Sequence, residues 1–97
     1  MTFGFDLHRR QDGLVYRFER DARGVYRRQD RPDLTVVWDD KMGWVARAPD
    51  TGLLAGRVWD MPMQAQGDSP PEGRWVSCKG ARSYVYDLLH LRQVRIR

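Results

Sequence analysis

The sequence predicts an α+β domain, a twisted antiparallel sheet of about four to six short strands with one C-terminal helix packed on it. Three observations carry this. Short runs of alternating apolar and polar residues, separated by Gly, Pro and Asp turn signals, fill the first three quarters of the chain. Residues 34–38, Leu-Thr-Val-Val-Trp, concentrate β-branched side chains as a strand does. Near the end, Ala81, Tyr84, Val85, Leu88 and Leu89 recur at the spacing of one helical face. The alternative is an all-β small barrel or sandwich. It arises because Tyr84, Tyr86 and Leu88 also alternate, as do Val94 and Ile96 with Arg95 and Arg97.

Taken in order, Leu14, Tyr16 and Phe18 alternate with Val15, Arg17 and Glu19, a half-buried strand. Residues 21–24, Asp-Ala-Arg-Gly, form a turn from which 25–29 returns as a hairpin. Arg31-Pro32-Asp33 breaks the chain before the strand at 34–38. A turn at 39–43 leads to a returning strand at 44–48, and Pro49-Asp50-Thr51-Gly52 closes that unit. Residues 53–59 hold a weaker strand. From about 60 to 73 the chain carries Pro62, Pro70, Pro71 and Gly67 and reads as a long ordered loop suited to a binding excursion. Residues 74–78 are a further strand. Residues 81–91 are the predicted helix, with an extended tail. Trp38 and Trp75, at the ends of strands, are the expected core anchors, and Cys78 is expected to be a buried, unreactive thiol.

Ninety-seven residues make a single small globular domain, spanning 1–97. Apolar residues at 41% and charged residues at 31% exclude a disordered chain. The one cysteine excludes an internal disulfide and fits a cytoplasmic setting. No apolar run is long enough for a spanning helix, so no membrane partner is expected.

Catalytic and metal patterns are weak. His8, His90 and Cys78 match no zinc spacing, and no Gly-x-Ser-x-Gly or phosphate-loop pattern occurs, so neither a metal nor a cofactor is expected. Asp39, Asp40 and Asp60 read as turn formers rather than an acid/base pair.

Fifteen of the seventeen basic residues are arginine, and they interleave with aromatics, as in Tyr16-Arg17-Phe18-Glu19-Arg20 and Val25-Tyr26-Arg27-Arg28. Arginine and aromatic rings are enriched at binding surfaces. A GC-rich genome also raises arginine without selection for binding. The formal charge of +4 favours anionic partners, mildly. The expectation is a non-enzymatic binding protein whose partner is nucleic acid, or an acidic surface on a nucleic-acid-handling protein. Its binding residues are Arg17, Arg27, Arg28 and Arg47, with Tyr26 as a stacking or anchor residue. Two alternatives stand beside it. One is an accessory protein of the phage or mobile-element kind that binds and inhibits a host protein. The other is a metal-independent ribonuclease drawing on Tyr84, Tyr86, His90, Arg92, Arg95 and Arg97.

Overall fold

The computed structural model describes residues 2–48, 54–79 and 81–91, without the side chains of Cys78 and Lys79. The expected burial of the Cys78 thiol, the turn at 49–52 and the tail at 92–97 therefore lie outside the described residues. Among the described residues the strands are β1 (Gly4–Arg9), β2 (Val15–Arg20), β3 (Tyr26–Arg28), β4 (Thr35–Asp39), β5 (Gly43–Arg47), β6 (Leu54–Val58), β7 (Gly73–Lys79) and β8 (Arg82–His90). Each pairs antiparallel with its sequence neighbours, and β8 returns to β1, so the sheet closes into a barrel. The one helical element among the described residues is a single 3₁₀ turn, Met63–Ala65. No described helix is long and apolar enough to cross a membrane.

The α+β expectation is thus corrected to an all-β barrel. The segment predicted as a helix is β8. Its inward positions are Tyr84, Tyr86 and Leu88, the last fully buried, whereas Leu89, required on the apolar stripe of a helix, is 50% exposed. The cause is tertiary. β8 lies between β7 and β1 and satisfies the free backbone edge of both, which a helix packed on the sheet would leave open. One further strand adds to the count beside β8: β1 carries Phe5 and Leu7 into the core from a region with no strand expectation, while β6 occupies the stretch read as a weaker strand.

The interior is mainly aromatic. Phe5 stacks on Phe18 with ring centroids 5.0 Å apart, Tyr26 meets Phe5 at 5.3 Å, and the edge contact of Tyr26 with Trp44 is 5.7 Å. Trp75 is 2% exposed, as expected of a core anchor, but Trp38 is 42% exposed. Trp38 faces inward beside Trp44 at the rim of the barrel, so only its inner edge finds a partner.

The loop between β6 and β7 plugs this rim. Pro70 is fully buried, and the His90 Nε2 donates to its carbonyl at 2.6 Å. The indole nitrogens of Trp44 and Trp75 donate to the carbonyls of Gly67 and Pro71 at 3.0 and 3.1 Å. At Gly43, where φ is +84°, an added Cβ would lie 2.5 Å from the Gln66 Oε1, so the missing side chain lets the loop seat directly on the β4–β5 turn. The stretch read as a binding excursion is, over much of its length, a lid fixed to the barrel.

Candidate ligand site inside the barrel

Two residues along each strand from the plugged rim, the interior changes character. Closed barrels of this strand number have room for side chains or for one small ligand, and which of the two follows from residue size. Three inward positions on adjacent strands hold small residues. Ala46 pairs with Gly56 and Gly56 with Ser77, which leaves a bare strip of wall. Opposite stand Tyr16, Arg28 and Tyr86. Between them lies a cavity of about 440 Å³, floored by Trp75 and reaching the surface at Arg31 and Leu54, both exposed. The size falls within the range of small-molecule sites. A β-bulge breaks the β5–β6 ladder between Ala46 and Arg47, at the cavity wall.

The lining joins rings and guanidinium groups. Arg28 lies over the Tyr16 ring, 4.2 Å from its centroid, and Tyr16 and Tyr86 are 6.3 Å apart. Arg9, at the rim, sits 5.7 Å from the Tyr16 centroid and 4.9 Å from that of Tyr84. Tyr16 therefore carries two cations, an arrangement its electron-rich face favours. Aspartates hold both arginines from outside. Arg28 bonds both carboxylate oxygens of Asp30, at 2.5 and 2.9 Å, and Arg9 bonds those of Asp12 at 3.0 and 2.6 Å. These bonds hold each carboxyl below its ordinary range and push each guanidinium up. Arg31 is looser, its contact with Asp33 being 3.7 Å and exposed on both sides. One buried polar atom in the wall, the Ser77 Oγ, has no hydrogen-bond partner among the described residues.

The residues expected to form one arginine face are dispersed. Arg28 and Arg47 line the cavity. Arg17 and Arg27 stand on the outer wall, where Arg17 pairs with Asp6 at 2.8 Å and Arg27 with Asp21 at 2.9 Å. Arg47 also pairs with Asp39, at 2.6 Å. Tyr26 is fully buried, and its hydroxyl donates to the Thr2 carbonyl at 2.7 Å, so its ring is a core element out of reach of a partner. Burial also raises its phenol above the ordinary value. The proposed ribonuclease cluster is not assembled either. Tyr84 and His90 lie at opposite ends of β8, about 20 Å apart at the rise of a strand, and His90 is engaged with the plug. Arg92, Arg95 and Arg97 lie outside the described residues. Among those described, no group of three or more His, Cys, Asp or Glu could hold a metal ion.

Sequence reasoning missed Tyr16, Tyr86 and Ser77 as a lining set. Their types were visible, but their meeting depends on strand register. Comparisons with protein-family models, with curated proteins and with solved structures find no significant match.

Proposed function

We propose that this chain is a non-enzymatic binding protein that takes a flat-ringed anion of the nucleotide kind into the unplugged end of its barrel. The observation that carries the reading is the cavity itself. It puts ring faces at Tyr16, Tyr86 and Trp75, cations at Arg28 and Arg31, and the Ser77 hydroxyl, unpartnered among the described residues, around one space. A base can lie against the tyrosines, and a phosphate can meet the Arg31 guanidinium at the mouth. The expected nucleic-acid link is kept but moved. On the outer wall Arg17 and Arg27 already bond aspartates, so a phosphate there would have to displace a carboxylate. At the mouth, the long Arg31–Asp33 contact leaves a cation able to turn to a ligand.

The same chemistry arrives as a free nucleotide or as the phosphorylated end of a single strand. Calorimetric titration with nucleoside monophosphates, with the matching nucleosides and with 5′-phosphorylated oligonucleotides separates these sources. Binding of monophosphates alone indicates a nucleotide, and tighter binding of the oligonucleotide indicates a strand end. Uncharged nucleosides should bind roughly tenfold or more weakly, since a charged hydrogen bond is worth about 1.5–3 kcal/mol. Ala46→Leu, which fills the bare strip, should abolish binding while the barrel stays folded. Unchanged binding in that variant, or no binding of any of the three ligands to the parent, overturns the reading. Recovery of the ligand intact after long incubation tests the non-enzymatic part.

A further inference from the structure

A second concavity lies outside the barrel, where the plug loop meets the β4–β5 turn. Its volume is about 430 Å³. The chain has four methionines, and the three beyond Met1 (Met42, Met61 and Met63) all line it. Trp59, 49% exposed, forms one wall, and Met42, 40% exposed, forms part of another. Gln66 knits the base. Its Oε1 accepts from the Trp44 amide at 2.8 Å, and its Nε2 donates to the Met61 carbonyl at 3.2 Å. The groove is thus fixed beneath and lined above by unbranched side chains that can repack.

Its lining carries a net positive charge. Seven arginines make ion pairs with aspartates among the described residues. Arg57, like Arg20, Arg23, Arg74 and Arg82, makes none there, and its guanidinium lies 5.9 Å from the Trp59 ring centroid. Lys41 stands on the opposite lip, and Asp60 is the single acid of the lining. An exposed tryptophan with an unneutralised arginine over it is the pairing that dominates protein interfaces. Methionine-rich walls suit side chains of varied shape.

We propose that this groove docks an acidic peptide segment of a partner protein, with one bulky apolar side chain set among the methionines and against Trp59 and its carboxylates toward Arg57 and Lys41. The site is separate from the cavity inside the barrel, and either can exist without the other.

The test uses two dye-labelled synthetic peptides, one with glutamates and aspartates flanking a phenylalanine, the other with lysines in their place. Fluorescence anisotropy follows each against the whole chain. The acidic peptide should bind, and the lysine peptide should bind at least tenfold more weakly. Arg57→Glu and Trp59→Ala change exposed positions, so their circular dichroism and melting should match the parent, and each should weaken the acidic peptide tenfold or more. Ala46→Leu, inside the barrel, should leave peptide binding unchanged, which separates failure here from failure of the nucleotide reading. The proposal is overturned if the acidic peptide does not bind, if the lysine peptide binds equally well, or if folded Arg57→Glu and Trp59→Ala proteins bind as the parent does.

Discussion

Trp44 and Gly67 are joined by a 3.0 Å hydrogen bond from the indole Nε1 to the carbonyl oxygen, and this bond couples the core to its plug. The indole is 7% exposed and also meets Tyr26 and Trp38 edge-on. Trp44→Phe keeps most of the ring and removes the donor, leaving a carbonyl that the loop must satisfy elsewhere. The expected loss is about 1–2 kcal/mol in urea unfolding, with faster exchange of the 66–70 amides. Trp44→Ala should cost about 3–5 kcal/mol. A Trp44→Phe variant as stable as the parent, with unchanged exchange of the 66–70 amides, would show that the bond does not hold the plug.

The four tryptophans should divide by position rather than by size. Trp75 is 2% exposed and floors the cavity, so Trp75→Ala should lose about 3–5 kcal/mol. Trp38, at the rim, should lose only roughly 1–2 kcal/mol on the same change, because much of its surface is already in water. Chemical denaturation of both variants checks the order. Acrylamide quenching gives an independent view, since Trp38 and Trp59 should be quenched and Trp75 protected.

Acid should destabilise the barrel through its aspartates. Hydrogen bonds from Arg9, Arg10, Arg27 and Arg28 lower Asp12, Asp87, Asp21 and Asp30, and the amides of Lys41 and Met42 lower Asp39, all from an ordinary 3.8. For a carboxyl with a depressed folded value, the stabilisation is complete above the unfolded value. It is lost as pH falls through the folded one. The melting temperature should therefore change little from neutrality to about pH 4 on this account, and drop below it. Asp21→Asn, which removes one titrating partner, should be less stable at neutral pH and show a shallower acid limb. These pairs are exposed, so each contribution is small and falls with added salt. A melting temperature that rises on acidification would contradict the assignment.

The hairpins were legible because their signals are local. Asp39 caps the β4–β5 turn by accepting from the Lys41 and Met42 amides, and Asp21 does the same for Arg23 and Val25 after β2. Both turns follow from an aspartate and a glycine a few residues apart. The C-terminal strand was not legible, because Tyr84 and Leu88 fit both the helical stripe with Val85 and Leu89 and the strand alternation with Tyr86. What decides between them is the unpaired edge of β1, some eighty residues away in sequence. The candidate site was hidden for the same reason. Ala46, Gly56 and Ser77 are unremarkable singly and become one wall only when three strands fall into register.

Ser77 gives the sharpest separation of folding from binding. Its Oγ is buried with no partner among the described residues. An unsatisfied buried hydroxyl contributes nothing to the fold and carries a desolvation cost. Ser77→Ala should therefore be neutral, or up to about 1 kcal/mol more stable, by thermal and urea unfolding. If the hydroxyl serves a ligand, the same change should weaken nucleoside monophosphate binding roughly fivefold to tenfold, the equivalent of about 1–1.4 kcal/mol. Ser77→Thr, which keeps the hydroxyl and adds a methyl group toward Gly56, should retain more affinity than alanine if the space at Gly56 accepts it. Most unfavoured substitutions in small domains lower stability and binding together, so opposite signs for Ser77→Ala would be hard to produce by a general loosening of the barrel. A loss of stability above 1 kcal/mol would mean that the hydroxyl supports the fold, and its role as a ligand contact would fail.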